Sequence, residues 1–149
     1  MGEKLVAVNP NRGNYFLSEM VEAGLVLKGT EIKSLRTQSP NMRDAHVDVY
    51  RGEAFLVNCH IPEYSHGNLN NHEPMRKRKL LLHAHQISRL AAAVEREGMT
   101  VIPTRIYFKQ GRAKIEIGLA KGKKKHDKRQ DLKKRSADRE MERALKRGR

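Results

Sequence analysis

The sequence predicts a small, mainly β domain, an antiparallel β-barrel with flanking helices, followed by a basic C-terminal tail. Three observations support this fold class. Alternating apolar and polar residues occur in several short runs, which are separated by turns that contain glycine. One stretch, HAHQISRLAAAVEREG, has the apolar spacing of an amphipathic helix. Beyond Lys121 apolar residues become scarce, and Lys and Arg dominate the composition.

The first predicted strand covers Tyr15 to Leu27, YFLSEMVEAGLVL, and is interrupted by Gly24. Because a glycine inside a strand often marks a bend, we expect a long strand that bends at Gly24. The next residues, GTEIKSLRTQSP, predict a helix of one or two turns. Thr30 is its expected cap, and Glu31 lies near the positive end of its dipole.

The first predicted hairpin begins at Ala45 and turns at Arg51-Gly52-Glu53. We expect the odd positions of both strands to face inward, namely Ala45, Val47, Val49, Phe55, Val57, Cys59 and Ile61. Residues Pro62 to Lys79 follow without a usable period. A loop of this length in a compact domain indicates a functional role or local mobility.

The remaining elements are a short strand from Leu80 to Leu82, the amphipathic helix that Gly98 closes, and a second hairpin. The hairpin joins Met99–Phe108 to Arg112–Leu119 through Gln110-Gly111. Odd positions of its second strand are apolar, so Lys114 is predicted to point away from the core.

Several antiparallel strands, one long helix and bends marked by glycine are typical of the OB-fold class. An open α+β sandwich is the alternative that the same pattern allows.

Charge divides the chain into two parts. The 149 residues carry a formal net charge of +14 with a pI of about 10.2, which indicates a polyanionic partner. Residues Lys121 to Arg149 contain 14 Lys and Arg against 5 Asp and Glu. We therefore predict a β-barrel domain over residues 1–120 and a tail over residues 121–149 that is disordered in isolation.

We expect a cytoplasmic protein that makes no membrane contact. The sequence has no apolar run of about 18 residues, and MGEKLVAVNPNRG lacks the features of a signal peptide. The single cysteine, Cys59, excludes an internal disulfide and a thiolate metal cluster, and it is expected to be a small buried hydrophobe.

The residues do not form a catalytic, metal or cofactor motif. His60, His66 and His72 recur every six residues, but they lack the cysteine or carboxylate neighbours of zinc sites, and we interpret them as loop residues that face solvent or RNA. Glu31, Asp44 and Asp48 are interpreted as solvated surface. The sequence GLAKGKK differs from a phosphate-binding loop in glycine spacing and lacks its Ser or Thr. An enzyme is therefore not expected.

Two basic runs, Arg76-Lys77-Arg78-Lys79 and Lys121 to Lys125, adjoin predicted strands and are expected to present charge to phosphates from a rigid scaffold. Four tyrosines are candidates for base stacking, but seven aromatic residues in all argue against a dedicated single-strand platform. The pattern favours recognition of a folded RNA through its shape and phosphates.

An ordered set of motifs resembles the SmpB family, whose members are partners of transfer-messenger RNA (tmRNA) in ribosome rescue. The motifs are YF, EAGLVLKGTEIKSLR, GEAFL, RKLLLH, EREG, IYFKQGRAKIEIGLAKGKK and HDKR. The resemblance covers about Tyr15 to Arg135. It implies a six-stranded barrel of OB-like topology that binds the tRNA-like domain of tmRNA.

The resemblance also implies roles for individual residues. Those implied to bind tmRNA are Asn11, Glu22, Leu81, His83, Lys114, Lys121, Gly122, Lys123 and Lys124. Those implied to meet the small-subunit decoding centre and mRNA channel are His126, Asp127, Lys128, Arg129, Met141 and Leu145. Further implied partners are elongation factor Tu and alanyl-tmRNA in a delivery complex, with this chain as a monomer and without a cofactor.

By the same resemblance, the tail replaces the missing codon and anticodon, and becomes helical on the ribosome. A helix would place Ala137, Met141, Ala144 and Leu145 on one apolar stripe. Relatives often carry Trp in this part of the tail, whereas this chain has no Trp. Met141 or Leu145 is therefore expected to supply the apolar contact.

Two other function classes fit the composition. An ordinary ribosomal protein with a basic extension would be stoichiometric on all ribosomes, whereas an adaptor would be enriched on stalled ones. A small RNase with a basic guide tail would degrade RNA on prolonged incubation with magnesium.

Overall fold

The computed structural model describes residues 3–66 and 70–123. These residues form one seven-stranded antiparallel sheet in the order β1-β6-β7-β2-β5-β4-β3, accompanied by two α-helices and a 3₁₀ turn at Arg12–Asn14. The strands are β1 (Lys4–Val8), β2 (Tyr15–Leu25), β3 (His46–Tyr50), β4 (Glu53–Val57), β5 (Arg78–Leu81), β6 (Thr100–Lys109) and β7 (Arg112–Gly122). The helices are α1 (Gly29–Thr37) and α2 (Ala84–Glu97).

The predicted mainly antiparallel architecture with helices is confirmed, but the six-stranded closed barrel is wrong. The described sheet has β1 as an additional strand, and its hydrogen bonding ends at β1 and β3. Strand β3 lies beside β6 without pairing with it. Pro103 in β6 has no N–H to donate to another strand. Asn9 donates hydrogen bonds to the carbonyls of Pro103 and Thr104, from its side-chain amide at 2.7 Å and from its backbone N–H at 2.8 Å. Strand β1 pairs with β6 from Arg105 to Phe108, so β1 and Asn9 together occupy the edge of β6 at which a barrel would close.

The first hairpin is confirmed, but the inward face of its second strand was predicted wrongly. A two-residue turn places Tyr50 opposite Glu53, so that Val47 faces Leu56 and even positions of β4 face inward. Ala54 and Leu56 are accordingly buried. Asn58 then adopts a left-handed conformation, with φ at 59°, and the odd positions Cys59 and Ile61 are buried as predicted.

The second hairpin was predicted correctly. Lys109 faces Arg112 across the turn, and Ile115 on β7 packs inward between Ile106 on β6 and Ala23 on β2. Because side chains alternate along a strand, Lys114 points from the opposite, outer face of the sheet. Strand β7 extends to Gly122, and the backbone N–H of Lys123 donates to the Asn14 carbonyl at 3.0 Å.

The helices begin and end at identifiable signals. Helix α1 is longer than the one or two turns expected, and it is capped by Lys28 rather than Thr30, since the Lys28 N–H donates to Glu31 Oε1 at 2.8 Å. Helix α2 and its closure by Gly98, with φ at 64°, are confirmed. Of the apolar stripe that its spacing predicted, Ile87 and Leu90 are buried, but Val94 is 37% exposed and Ala93 is buried instead.

Glu31 is the centre of a buried ionic cluster, which corrects its interpretation as a surface residue. Its carboxylate accepts hydrogen bonds from Arg76 and from Arg78 Nε, the second at 2.5 Å. Arg78 is also buried and donates to the carbonyls of Cys59 and Pro74 at 2.6 and 2.9 Å. Burial raises the pKa of Glu31, but hydrogen bonds from Arg76, the Lys28 N–H and Arg78 outweigh it and hold the pKa below its ordinary value.

This cluster overturns the prediction that all four cations of the run Arg76 to Lys79 face phosphates. Arg78 is fully buried and Arg76 is largely withdrawn, whereas the side chains of Lys77 and Lys79 are exposed. Strand alternation explains why Arg78 points inward and Lys79 outward on β5. Arg76 precedes the strand and is drawn inward by its hydrogen bond to Glu31. Asp44 and Asp48 are exposed as expected.

The described residues of the Pro62–Lys79 loop have a structural role. His72 is buried, so the expectation that it faces solvent or RNA is wrong, although His60 and His66 are exposed. His72 Nε2 donates to the Ile61 carbonyl at 2.9 Å, and His72 Nδ1 shares a hydrogen bond of 2.9 Å with the Thr30 hydroxyl. The Asn71 side-chain amide accepts a hydrogen bond from the Tyr64 N–H and donates one to the Tyr64 carbonyl.

Tail predictions from Lys124 onward lie outside the described residues, among them Lys124, His126, Asp127, Lys128, Arg129, Met141 and Leu145. Neither α1 nor α2, the α-helices of the described ranges, is long and apolar enough to cross a membrane.

Replacing Glu31 by Gln should destabilise the protein strongly, because it leaves the buried guanidinium of Arg78 without its counter-charge. We expect a loss of about 3 to 5 kcal/mol in urea unfolding. Glu53→Gln is the matched control, since it breaks only the exposed Glu53–Lys79 pair at 3.7 Å, and should cost less than about 1 kcal/mol.

The pH dependence provides an independent check of the Glu31 cluster. Because the pKa of Glu31 is lower in the folded protein, its ionised carboxylate stabilises the fold fully above the unfolded pKa of about 4.3. This stabilisation is lost as pH falls through the folded-state pKa. Wild-type stability should therefore drop more steeply below about pH 4.3 than that of Glu31→Gln. Equal slopes would contradict an ionised Glu31 in the folded protein.

Candidate nucleic-acid interface

Four predicted RNA-binding residues line one cleft on the outer face of the sheet, namely Glu22, Leu81, His83 and Lys114. Gly24 on β2 pairs with Lys114 on β7 and with Leu81 on β5, so these positions form one row across three strands. Glu22 lies two residues before Gly24 and therefore points from the same face. A cleft of about 330 Å³ lies here, lined by Glu22, Gly24, Leu81, Leu82, His83, Gln86 and Lys114.

Gly24 permits the close approach of β2 and β5 that forms the floor of this cleft. A Cβ atom at this position would lie 3.2 Å from Leu81 Cβ and 3.3 Å from Leu81 Cδ1. The register irregularity of β2 lies between Ser18 and Val21, where Glu19 has φ at 48°, and not at Gly24, where the bend was predicted. What Gly24 provides is space for the Leu81 side chain.

Glu22 supplies an ionised hydrogen-bond acceptor at the cleft. Its Oε2 accepts hydrogen bonds from the Tyr107 hydroxyl at 2.7 Å and from Lys109 Nζ at 3.3 Å. The bond from Tyr107 is the main cause that lowers the pKa of Glu22; partial burial opposes it, and the charges of Lys109 and Lys114 reinforce it. Glu22 therefore keeps its charge below the pH at which an ordinary glutamate is protonated.

Tyr107 acts as a fixed donor below the cleft. It is buried, and burial together with its bond to Glu22 raises the pKa of its hydroxyl, which keeps its proton. The guanidinium carbon of Arg105 lies 4.4 Å from its ring centroid. Tyr107 is thus unavailable for the base stacking that the sequence allowed, whereas Tyr50 is exposed.

His83 enters the cleft at the start of α2. Its backbone N–H donates to Gln86 Oε1 at 2.9 Å, which fixes the first turn of the helix. Its ring stacks on that of His85, with centroids 5.6 Å apart and planes inclined by 8°. The exposed His83 ring and the exposed Leu81 side chain form adjacent walls, one polar and one apolar.

The other predicted RNA-binding residues within the described ranges, Asn11, Lys121, Gly122 and Lys123, lie apart from this cleft. Asn11 lines a different cleft of about 390 Å³ together with Tyr15 and Arg43, and its N–H donates to Asn9 Oδ1 at 2.9 Å. Lys121 and Gly122 lie at the end of β7, opposite Phe16 and Tyr15. The ammonium group of Lys123 lies 5.2 Å from the Phe16 ring centroid.

Sequence reasoning missed Lys109 and Gln86 as parts of this interface, and it offered Tyr107 as a stacking residue, not as a hydrogen-bond donor to Glu22. The alternation of β6 could have placed Tyr107 beside Lys114, but only after the hairpin register was known. Across residues 3–66 and 70–123, no three His, Cys, Asp or Glu side chains are grouped so that they could hold a metal ion.

Comparisons with known proteins agree with one another. The model of the family described as SmpB protein matches residues 7–147. An SsrA-binding protein of Syntrophotalea carbinolica is 51% identical over 146 residues and 97% of each chain. That of Bacillus pumilus is 52% identical over 95% of this chain and 92% of the relative, and that of Halalkalibacterium halodurans is 53% identical over 98% and 97%.

A solved structure gives the same result for the fold. It comes from work described as "tmRNA-SmpB: a journey to the center of the bacterial ribosome", and one of its chains is similar to this one with a TM-score of 0.68. The two are 44% identical, and the match covers 80% of this chain and 85% of that chain.

Tyr107→Phe should raise the pKa of the Glu22 carboxyl, because it removes the hydrogen bond that most lowers it. The change preserves the buried ring, so the fold should persist. Carbon-13 NMR titration of glutamate side-chain carboxyls measures the shift. Lys109→Met is the graded control and should raise the pKa less. An unchanged Glu22 titration in Tyr107→Phe would show that the hydroxyl does not hold this carboxylate.

Proposed function

Because the chain belongs to the SmpB family, we propose that it is a non-enzymatic adaptor of trans-translation. In this function it binds the tRNA-like domain of tmRNA and delivers it to stalled ribosomes. The tail occupies the empty decoding centre and mRNA channel, and the nascent peptide is then tagged. The observation that supports RNA binding most directly is the convergence of Glu22, Leu81, His83 and Lys114 on one cleft.

The cleft offers three kinds of contact that a folded RNA requires. Lys114 supplies a cation for a phosphate, and the ionised Glu22 accepts hydrogen bonds from base N–H groups or a ribose 2′-hydroxyl. Leu81 is 58% exposed and offers an apolar surface to a base or sugar. Because Gly24 and the β-ladders fix these groups, the cleft favours one RNA geometry over others.

The end of β7 connects this cleft to the tail. Lys121 and Lys123 lie on a backbone anchored by the ladder with β2 and by the bond from Lys123 N–H to Asn14. We assign Lys121 to Lys124 to RNA contacts and Gly122 to the pivot between scaffold and tail. Asn11, on its separate cleft, is the least direct of the proposed tmRNA contacts.

In the tail, His126 is proposed to stack on a decoding-centre base, and Asp127, Lys128 and Arg129 to engage ribosomal RNA. Met141 and Leu145 supply the apolar contacts of the tail helix. Neutralisation of RNA phosphates offsets the entropy of ordering so basic a segment. The chain acts in the cytoplasm as a monomer, and its delivery complex contains elongation factor Tu and alanyl-tmRNA.

Lys114→Met should weaken binding of the tRNA-like domain roughly tenfold to a hundredfold, because a charge-assisted hydrogen bond is lost. The slope of log affinity against log salt should also fall by about 1. Lys33→Met is the matched control, since it removes an exposed lysine from α1, outside the cleft. Equal losses in both variants would show that only bulk charge contributes.

A chain that ends after Lys125 should bind the tRNA-like domain as tightly as the full chain yet fail to tag stalled peptides. It retains the cleft, β7 and the Lys123–Asn14 contact. Competition against ordinary tRNA at near-physiological salt, followed by a tagging assay, measures both properties. Tagging by the truncated chain would contradict the assigned role of the tail, and loss of selective binding would contradict recognition by the scaffold.

A further inference from the structure

The tip of the β3–β4 hairpin presents an aromatic residue and a cation together. Tyr50 is 59% exposed, and the guanidinium carbon of Arg51 lies 5.1 Å from its ring centroid. The two turn residues, Arg51 and Gly52, have φ of 50° and 77°, which is the geometry of a tight two-residue hairpin. The ring is therefore exposed on a short, well-defined turn.

The register of the sheet places Tyr50 on the same face as the Glu22–Lys114 cleft. Tyr50 pairs with Glu53, and Ala54 pairs with Leu80, so continuation of that register brings Leu81 opposite Glu53. Leu81 in turn pairs with Gly24. With neighbouring strands about 4.8 Å apart, Tyr50 lies about 10 Å from Leu81 along this row.

The charges around the row are compatible with RNA. The two carboxylates nearby are each close to a lysine: Glu53 lies 3.7 Å from Lys79, and Asp48 lies 3.9 Å from Lys77. Arg51 adds a third cation at the tip, so cations outnumber carboxylates on this part of the face. An acidic protein surface would also tolerate this charge, but the row is continuous with the cleft assigned to RNA.

We propose that Tyr50 and Arg51 form a second contact for the RNA bound at the cleft. An unpaired base stacks on the face of the Tyr50 ring, and the Arg51 guanidinium contacts a neighbouring phosphate. Aromatic side chains accept any base in this way, and Arg both stacks and binds phosphate. The inference rests on the proposed function, since it extends the interface to the far end of the same face.

A tryptophan introduced at the hairpin tip tests the stacking directly. The natural chain has no Trp, so Tyr50→Trp introduces a single fluorescent reporter. Titration with the tRNA-like domain should quench its emission if a base stacks on the ring. Tyr64→Trp is the control reporter, because Tyr64 contacts Lys33 on α1, away from this row; its emission should change little. Unquenched emission from the Tyr50→Trp variant in a saturated complex would overturn the stacking assignment.

Affinity measurements separate the ring from the charge. Tyr50→Ala should weaken binding roughly fivefold to a hundredfold, as expected for loss of one stacked base, whereas Tyr50→Phe should stay within about twofold. Arg51→Asn suits the left-handed turn and should lower the salt slope by about 1. Unchanged thermal melting would confirm that the exposed substitutions leave the fold intact.

The outcomes distinguish this inference from the proposed function. If the wild-type chain shows no preference for the tRNA-like domain over tRNA, the proposed function fails together with this inference. If binding is selective and Lys114→Met weakens it, but Tyr50→Ala has wild-type affinity, the cleft is supported and the hairpin contact is refuted. A protein partner at the hairpin would give this second result.

Discussion

The arrangement of the outer sheet face, which carries the Glu22–Lys114 cleft, depends on the buried carboxylate of Glu31. It joins the first turn of α1, the end of the long loop and the first residue of β5 through Lys28, Arg76 and Arg78. Arg78 also donates to the carbonyls of Cys59 and Pro74, and the Pro74 carbonyl accepts a further hydrogen bond from the Ile61 N–H. Since a buried charge is stable only with its partners, these segments are held in one arrangement. Leu81, three residues along β5, takes its position from it.

The alternation of a β-sheet gives this anchored strand an inner core side and an outer side that carries the proposed recognition face. On the inner side, Ile106, Ile115 and Ala23 form one buried row across three strands. On the outer side, the adjacent row carries Lys114, Gly24 and Leu81, and a one-residue slip would exchange the two. The core therefore fixes the register of the interface, and Gly24 fixes how closely its strands approach.

Sequence patterns predicted the elements better than their assembly. The helix with Gly98 at its end and the hairpin at Gln110-Gly111 followed from local signals, and the outward direction of Lys114 followed from the apolar residues beside it. The buried state of Glu31 and Arg78 could not be predicted this way, because their partners lie 47 residues apart in sequence. The edge of the open sheet likewise involves a contact distant in sequence, in which the Asn9 side-chain amide donates a hydrogen bond to the Pro103 carbonyl. Glu22 entered only through family resemblance, since its hydrogen bond to Tyr107 spans 85 residues.

The distribution of charge explains why a scaffold and a tail suit one function. Scaffold cations lie beside carboxylates, such as Arg89 with Glu19 and Arg105 with Glu3 and Glu116, and these pairs orient donors more than they add net charge. Lys121 to Arg149, in contrast, carry nearly twice the net charge of the preceding 120 residues. Attraction from such a tail weakens steeply with salt and distinguishes poorly between RNAs. In the proposed function, oriented contacts on the sheet face discriminate between RNAs. Because the sheet and the tail belong to one chain, binding of the tail to the ribosome becomes intramolecular once the sheet-bound RNA has been delivered there. In the function we propose, selectivity for a stalled ribosome requires both parts at once.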